Sequence, residues 1–357
     1  MAVKTKNDNL HKAKDAKKDE FYTQLYDIER ELKHYKNHFK DKVVYCNCDD
    51  PRVSNFFHYF SYNFEKLGLK KLITTCYKSQ NMDLFSQNNS ERAIYLEYDG
   101  DKKGNNIPDL NEIGIKHLNG DGDFRSNETI ELLKQADIVV TNPPFSLFRE
   151  YVAQLIEYDK KFLILGNSNA ITYKEIFKLI RENKLWLGAS IHSGDVKFEI
   201  PKDYEVRSKS YVVENGKRYI RVPSIRWFTN LDYQERHEDI ILYKKYTPEG
   251  YPKYDNYDAI NVDKTKDIPM DYSGAMGVPI TFLDKYNPDQ FEIIGQGQGN
   301  LYRELTSKGL RKDFVDNYYK AGGTGSIKED HPVLAYYDNN RKPVIPYMRI
   351  VIKNKKI

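Results

Sequence analysis

The sequence predicts an α/β fold, with a doubly wound, mostly parallel sheet followed by a separate C-terminal module. Two observations support this fold class. Short apolar strands alternate with amphipathic helices as far as Gly188, which is the pattern of βαβ units. Beyond Gly188 that alternation stops, and the chain becomes rich in loops and short strands. Ligands of such sheets bind in the loops that follow the carboxyl ends of the strands, so those loops are the first place to look for function.

Composition limits the classes of protein to which the chain can belong. Of its 357 residues, 39% are hydrophobic and 30% charged, as in globular proteins with one large domain and a second module. No apolar run approaches the ~18 residues of a membrane span, and the lysine-rich N-terminus lacks the apolar stretch of a secretory signal. The three cysteines are too few for a disulfide framework, so we expect a reducing cytoplasm and no membrane partner.

The elements of the predicted catalytic domain, residues 19–246, follow a flexible basic tail at residues 1–18. Apolar spacing of three to four predicts helices, and short apolar or β-branched runs predict strands. The predicted helices are Asp19–Phe39, Pro51–Leu67, Glu128–Gln135, Phe148–Tyr158 and Tyr173–Arg181. The predicted strands are Lys42–Cys46, Lys71–Cys76, Arg92–Tyr98, a short strand within Asn105–Asn119, Asp137–Thr141, Lys161–Leu165 and Leu185–Leu187.

The second half of the chain predicts a different organisation. Residues 190–224 predict irregular strands and loops. The strands Ser224–Thr229 and Asp239–Tyr246 have no crossover helix between them, so we expect an antiparallel hairpin that closes the sheet edge. Residues 247–357 predict a separate module, which begins with a linker as far as Met276 and contains one helix, Leu301–Tyr319.

The strongest functional signal is Asn142-Pro143-Pro144-Phe145, directly after the predicted strand DIVVT. It resembles the catalytic motif of S-adenosylmethionine-dependent amino methyltransferases, which is written as Asp, Asn or Ser, then Pro-Pro, then an aromatic residue. The Asn142 amide oxygen and the Pro143 carbonyl can each accept a hydrogen bond from an exocyclic amine. Two such acceptors favour the positive charge that develops on the nitrogen. Phe145 can stack on a base that has left the duplex.

Three segments are candidates for cofactor binding. The turn Asn47-Cys48-Asp49-Asp50 follows the first strand, where such enzymes usually carry a glycine-rich loop. In the acidic loop Gly120–Arg125, a carboxylate could accept a hydrogen bond from the adenine amine of the cofactor, and Phe124 could stack on the adenine ring. The residues Phe21, Tyr22 and Thr23 precede the first strand, where the methionine end of the cofactor is commonly bound. The predicted cofactor residues are Phe21, Tyr22, Thr23, Asn47, Cys48, Asp49, Asp50, Asp121, Asp123 and Phe124.

Alternatives remain open for several of these segments. The loop Gly295–Gly299 has a Gly-x-Gly-x-Gly form, which would suit cofactor binding in a permuted order of the chain. No second βαβα run follows it, so a flexible or backbone-contacting loop near DNA is the simpler explanation. The acidic turns could be ordinary solvated loops. No second pair of Cys or His has the spacing of a metal site, and the proposed chemistry requires no metal.

Charge patterning indicates where nucleic acid could bind. The net charge is +4, and the first eighteen residues alone carry that excess, so a nucleic-acid partner requires local basic patches. Residues 197–226 hold eight basic residues against four acidic ones, and residues 341–357 hold six basic residues and no acidic one. A solvated surface is the alternative explanation of each patch.

Together these segments resemble the adenine-specific DNA methyltransferases of the EcoRI modification type. The matching segments are DEFYTQL, VVYCNCDDPRVSNFF, GDGDF, TNPPFSLF, FLILGNSNAIT, KLWLGAS, IRWFTNLD and GVPITFLDKYNPDQFEIIG. The resemblance implies a Rossmann-like S-adenosylmethionine-dependent methyltransferase sheet with an added C-terminal DNA-recognition module. The Cys-Asp-Asp-Pro turn in place of a glycine loop looks like a property of that family.

The resemblance also implies an activity, a cofactor and a partner. The activity is N6 methylation of a flipped-out adenine in double-stranded DNA, with S-adenosyl-L-methionine as donor, in a restriction-modification system whose endonuclease acts independently. The residues carried over as catalytic are Asn142, Pro143, Pro144 and Phe145. The residues expected to stack on the base or contact DNA are Trp227, Phe228, Lys197, Arg221 and Arg226. An RNA or protein-glutamine methyltransferase, or an inactive DNA-binding relative, are the alternatives.

Overall fold

The computed structural model describes residues 22–48, 54–75, 93–104, 108, 113–190, 195–200 and 211–357. The helices of these residues are α1 (Leu25–Leu32), α2 (Asn55–Tyr62), α3 (Phe64–Leu67), α4 (Asn127–Gln135), α5 (Phe148–Glu157), α6 (Lys174–Arg181), α7 (Tyr302–Leu305) and α8 (Lys312–Lys320). The first twelve strands are β1 (Tyr22–Thr23), β2 (Val43–Cys46), β3 (Lys71–Thr75), β4 (Ile94–Tyr98), β5 (Gly114–His117), β6 (Ile138–Thr141), β7 (Lys161–Asn167), β8 (Trp186–Leu187), β9 (Asp195–Glu199), β10 (Tyr211–Glu214), β11 (Lys217–Pro223) and β12 (Ile225–Thr229). The remaining strands are β13 (Ile260–Asn261), β14 (Met276–Pro279), β15 (Phe291–Gln296), β16 (Tyr336–Tyr337), β17 (Pro343–Val344) and β18 (Arg349–Asn354).

The largest sheet has eight strands in the order β5-β4-β3-β2-β6-β7-β12-β8. Its central strands β3, β2, β6 and β7 are parallel, as the alternation of strands and helices predicts. β4 pairs antiparallel with both β3 and β5, and β12 pairs antiparallel with β7. The α/β class is therefore confirmed, but the sheet is mixed rather than mostly parallel.

The predicted hairpin at the sheet edge is wrong in its second strand. Residues 239–246 form no strand beyond an isolated bridge from Lys244 to Pro269. Ile241, part of the apolar run that suggested a strand, is 85% exposed. The side-chain amide of Gln290 instead bonds both backbone groups of Ile240, at 2.7 and 2.9 Å, and takes the place of a strand partner. The other predicted strand is β12, which pairs with β7.

Helices cover both faces of the large sheet. Successive side chains of a strand point to opposite faces, and in β12 these are Trp227 and Phe228. Trp227 packs edge-on against Phe56 of α2, with 6.2 Å between ring centroids. Phe228 packs against Phe148 of α5 at 5.0 Å. The sheet is thus the middle layer of three, which is the doubly wound arrangement that the sequence predicts.

A second, smaller sheet lies in the region predicted to be irregular. Its order is β1-β9-β11-β10, and all of its pairs are antiparallel. On β9 the apolar side chains Val196 and Phe198 are buried, while Lys197 between them is paired across the strands with Arg221 of β11. Apolar and charged residues therefore alternate with the period of a strand that is covered on one face.

The chain divides into two compact units. One contains the described residues up to Ala170 together with Leu187–Asp232, and the other contains Ile171–Trp186 and Tyr233–Ile357. The boundary that the sequence predicts after residue 246 lies within the second unit, which contains residues 171–186 and 233–246. The segments predicted to carry the chemistry all lie in the first unit where the structure describes them.

The second unit is built on the sheet β13-β14-β18-β15 and on the pair β16-β17. The predicted helix Leu301–Tyr319 is two helices, α7 and α8. In the loop Gly295–Gly299, the backbone of Gly297 donates to Arg349 at 2.8 Å and accepts from Leu334 at 2.9 Å. A Cβ at Gly297 would lie 2.7 Å from Leu334. Close packing therefore explains this glycine without a cofactor.

Candidate active site

The catalytic motif and the predicted cofactor turn adjoin at one edge of the large sheet. β2 and β6 are parallel neighbours, with Val44 opposite Ile138, so the residues after each strand emerge side by side. The Thr141 hydroxyl at the end of β6 donates to the backbone carbonyl of Asn47 at the end of β2. The prediction that these two loops share an edge is confirmed.

The motif itself is largely shielded from solvent. Asn142 is 7% exposed and Pro143 is buried, whereas Pro144 and Phe145 are half-buried. Phe145 begins a short 3-10 turn that leads directly into α5, and Leu147 N–H donates to the Pro144 carbonyl at 3.0 Å. A group bound here would meet Asn142 in a desolvated environment, where hydrogen bonds to a developing charge are strongest.

The cofactor turn makes its sharp bend without glycine. Cys48 adopts φ +76°, the left-handed region that usually favours glycine. It thereby supplies the conformation that a glycine-rich loop would provide after the first strand. Asn47 is 4% exposed, and its side-chain oxygen accepts from the Tyr151 hydroxyl. Asp49 and Asp50 lie outside the described residues.

The acidic loop Gly120–Arg125 is held by α4. The carboxylate of Glu128 accepts from the backbone N–H groups of Asn119 and Gly120, at 2.9 and 2.7 Å, and these bonds lower the pKa of Glu128. Gly122 has φ +77°, so the turn requires its freedom. The helix after the loop therefore fixes the position of the loop's first residues.

Within that loop the predicted cofactor residues have internal partners. The carboxylate of Asp123 binds the guanidinium of Arg125 with two bonds, at 2.9 and 2.7 Å, while Asp121 accepts from the Asp123 N–H at 3.0 Å. Phe124 is 6% exposed, and its ring lies edge-on to Tyr151 at 5.0 Å. Asp121 is half-buried, and its role in cofactor binding stays a prediction.

The segment before the first strand is an edge strand rather than a helix start. The backbone of Tyr22 and Thr23 forms β1 and pairs with Glu199 and Phe198 of β9. Thr23 is 1% exposed, and its carbonyl accepts from the Asn55 amide at 2.7 Å. Its hydroxyl is fully buried and has no hydrogen-bond partner within the described residues. Phe21 lies outside them.

The two aromatic residues expected to stack on the base are core residues, which corrects that prediction. Trp227 is 1% exposed and Phe228 is 0% exposed. A ring enclosed between the sheet and a helix has no face to offer to a nucleotide. Helices cover both faces of β12 at these two positions, so neither ring reaches the surface.

The basic residues predicted to contact DNA are distributed over two places. Lys197 and Arg221 share the outer face of the small sheet, where Lys197 pairs with Glu214 at 2.6 Å and Arg221 is exposed. Arg226 lies on β12 opposite Gly166 and donates to the Ile225 carbonyl at 2.9 Å. The structure therefore brings the first two together and separates the third from them.

Sequence patterns did not reveal three residues with structural roles: Tyr151 and Glu128, which hold the loops at this edge, and Glu31, which holds the backbone of Ala189 and Ser190 instead. Tyr151 is fully buried, and burial raises its pKa well above the usual value of a tyrosine. Glu128 fixes the acidic loop. Glu31 on α1 is 0% exposed, and its carboxylate accepts from the Tyr35 hydroxyl and the N–H groups of Ala189 and Ser190. Of these three residues, only Glu128 had a signal in the sequence, because it is an acidic residue in the first turn of a helix.

Two absences apply to the described part of the chain. It holds no group of three or more His, Cys, Asp or Glu side chains placed to bind a metal ion. None of its helices is long and apolar enough to span a membrane.

Comparison with known proteins identifies the family. The family model described as adenine-specific methyltransferase EcoRI matches residues 9–355. The chain is 55% identical to the Type II methyltransferase M.EcoRI of Escherichia coli, over 100% of this chain and 99% of that protein. It is 43% identical to M.MpnI of Mycoplasma pneumoniae, over 97% and 98%, and 42% identical to M.MgeORF184P of Mycoplasma genitalium, over 80% and 85%.

No solved structure matches the chain. The mixed α/β sheet is nevertheless consistent with a methyltransferase fold, and methyl transfer requires a methyl donor. The Asn-Pro-Pro-Phe motif adjoins the sharp turn that follows β2. This geometry agrees with the family match, which covers nearly every residue of the chain. The chain belongs to the adenine-specific methyltransferase EcoRI family, and it is an adenine-specific methyltransferase.

Proposed function

We propose that this enzyme transfers a methyl group from S-adenosylmethionine to N6 of a flipped-out adenine at a specific site in double-stranded DNA, as the methylase of a cytoplasmic restriction-modification system. The observation that carries the proposal is the hydrogen bond from Thr141 to the Asn47 carbonyl. It joins the last residue before the catalytic motif to the predicted cofactor turn. Donor and acceptor sites would therefore lie next to each other at one sheet edge, as direct transfer between them requires.

The chain's own residues would act on the adenine amine. The Asn142 side-chain oxygen and the Pro143 carbonyl would each accept one hydrogen bond from N6, which turns its lone pair towards the donor. Both residues are buried, so water does not compete for these bonds. Pro143 and Pro144 fix the backbone at this point because proline holds φ near one value and has no N–H. The half-buried Phe145 would stack on the base.

Cofactor binding is supported by the buried hydroxyl of Thr23. A buried hydroxyl with no partner in the described residues is costly unless a ligand supplies one. Thr23 belongs to the segment predicted to meet the methionine end of S-adenosylmethionine, so the residue type and the location fit that group. When bound, S-adenosylmethionine supplies an electrophilic methyl group. Asn47, Cys48 and the loop that contains Asp121 and Phe124 would hold its remaining parts.

The test is methylation with labelled cofactor. We expect the full chain to transfer label from S-adenosylmethionine to duplex DNA, and sequencing should find N6-methyladenine at one recurring sequence and no other modified base. Single-stranded RNA of the same sequence serves as the control. Label in RNA alone would contradict the DNA assignment. Cofactor and DNA binding without any transfer would show an inactive relative.

A further inference from the structure

Helix α5 begins immediately after the catalytic motif, and one of its faces holds both predicted cofactor loops. The Glu150 carboxylate pairs with Arg125 of the acidic loop at 3.1 Å. One turn further on, the Gln154 amide donates to the Phe124 carbonyl at 3.0 Å. Gln154 lies four residues after Glu150 and three after Tyr151, and residues at these spacings are neighbours on a helix surface, so all three side chains reach the same side of α5.

Tyr151 contacts two loops at once. Its ring lies edge-on to Phe124 at 5.0 Å, and its hydroxyl donates to the side-chain oxygen of Asn47. The side chain is 0% exposed, and burial raises its pKa, so the hydroxyl keeps its proton and remains a donor throughout the neutral range.

Together, these bonds connect the cofactor turn to the residues on both sides of the catalytic motif. Asn47 accepts from the Thr141 hydroxyl through its backbone and from Tyr151 through its side chain. Thr141 leads directly to Asn142, and the motif leads through Phe145 into α5, which returns to Asn47 through Tyr151. The distance between the cofactor turn and the catalytic motif is therefore fixed at two points, one on each side of the motif.

We propose that Tyr151 is a positioning residue for methyl transfer, whose hydroxyl holds the Asn47-Cys48 turn at the correct distance from Asn142. The inference rests on the proposed function, because it assumes that the turn binds S-adenosylmethionine. Tyr151 itself touches neither reactant. Without the hydroxyl, the Asn47 side chain loses its bond to α5, so the turn is held less firmly and the bound methyl group moves relative to the motif.

The test compares Tyr151→Phe with Tyr35→Phe. Both tyrosines are fully buried and each donates its hydroxyl to one side chain, in the case of Tyr35 to Glu31 at 2.8 Å. For Tyr151→Phe we expect S-adenosylmethionine to bind about fivefold to tenfold more weakly by titration calorimetry, the scale of one lost hydrogen bond. We also expect kcat at saturating cofactor to fall about tenfold, since misplaced reactants react slowly.

Two measurements distinguish positioning from general loosening of the fold. DNA affinity of Tyr151→Phe should stay within about twofold of the wild type, and Tyr35→Phe should change neither cofactor affinity nor kcat. A matched pair tests the other bond to Asn47: Thr141→Val should reproduce the defect, and Thr229→Val should not. Thr229 is likewise a buried strand threonine that donates to a backbone carbonyl, that of Phe162 at 2.6 Å.

The outcomes separate this inference from the proposed function. A wild-type protein that binds S-adenosylmethionine, with Tyr151→Phe unchanged in both affinity and kcat, overturns the positioning role alone. Equal losses in Tyr151→Phe and Tyr35→Phe also overturn it, because they indicate a general effect on packing. A wild-type protein that binds no S-adenosylmethionine overturns the proposed function and the inference together.

Discussion

The sheet edge around Asn142 and the small sheet β1-β9-β11-β10 are built by opposite means. At the sheet edge, buried hydrogen bonds between neutral groups, such as those from Thr141 and Tyr151, connect β6 and α5 to the turn at Asn47. On the small sheet, exposed charges pair across strands, as Lys217 does with Glu199 at 2.9 Å. Buried bonds fix geometry because breaking one leaves a polar group without water, whereas exposed ion pairs contribute little and exchange readily. The first region suits chemistry, and the second suits a partner with a charged backbone.

The strongest test of the difference between the two regions is to remove the hydrogen-bond acceptor of Asn142. We expect Asn142→Ala to lower methyl transfer at least about a hundredfold, because one of two acceptors for the amine is lost from a desolvated site, while DNA affinity stays nearly the same. Filter binding and single-turnover kinetics measure the two quantities. Asn142→Asp, which keeps an acceptor oxygen, should retain more activity than the alanine variant. Near-normal turnover in Asn142→Ala would show that the buried edge is not catalytic.

A second test concerns the buried carboxylate of Glu31. We expect Glu31→Ala to lower the free energy of unfolding by about 3 kcal/mol, since the N–H groups of Ala189 and Ser190 lose their acceptor. Glu29→Ala, an exposed position on the same helix, is the control and should cost less than about 0.5 kcal/mol. Denaturant titration measures both. Equal effects of the two changes would indicate that these buried bonds add no stability.

A third test addresses the exposed region. We expect Arg221→Ala to weaken DNA binding about tenfold and to reduce the slope of log affinity against log salt by about one, as the loss of one phosphate contact predicts. Methyl transfer at saturating DNA should be unchanged. Lys134→Ala, an exposed lysine paired with Glu131 on α4, should leave the slope as it is. An unaltered slope in Arg221→Ala would place the DNA elsewhere.

The smallest expected effect concerns Glu128 and pH. Its pKa lies below the usual 4.5 because two backbone N–H groups bond the carboxylate. A lowered pKa in the folded state means that the stabilisation is complete above about pH 4.5 and is lost as the pH falls through the lowered value. Glu128→Gln should therefore be slightly less stable than the wild type at pH 7 and equal to it at low pH. Cofactor affinity should fall about twofold at pH 7.

The control for this last prediction is Glu131→Gln, on the same helix but bonded to a lysine instead of the acidic loop. It should leave cofactor affinity unchanged at every pH. A difference between Glu128→Gln and the wild type that persists at a pH well below the lowered pKa of Glu128 would contradict the role given to the charged carboxylate.

The sequence predicted the location of the site better than its details, for physical reasons. Loops that follow parallel strands emerge at the same edge of a sheet, so the sequence could predict a shared edge for Asn47 and Asn142. It could not predict that β2 and β6 are direct neighbours, because three other strands lie between them along the chain. Trp227 and Phe228 could not be placed in the same way. A strand covered on both faces has no alternation of polar and apolar residues, so an aromatic side chain in the core and one at a surface give the same pattern.

Contacts between loops were beyond the reach of sequence patterns. Tyr151 has the spacing of an ordinary buried helix residue, and nothing in that spacing shows that its hydroxyl meets Asn47, 104 positions earlier. The small sheet lies where the sequence predicts only irregular strands and loops, although Val196 and Phe198 alternate with charged residues as a half-buried strand requires. The opposite error occurs at residues 239–246, where an apolar run predicts a buried strand. The structure has no strand there, and Ile241 is exposed.

The pairing of β1 with β9 restricts how this enzyme could be redesigned for a new target. Within the described residues, β1 is two residues long and pairs with β9 alone, so the placement of Thr23 depends on where Phe198 sits. An engineer who exchanges the hairpin of β10 and β11 for one with other contacts would have to keep β9 in register. Grafts that begin after Glu199 preserve that register, whereas grafts that replace β9 would remove the strand that positions Thr23.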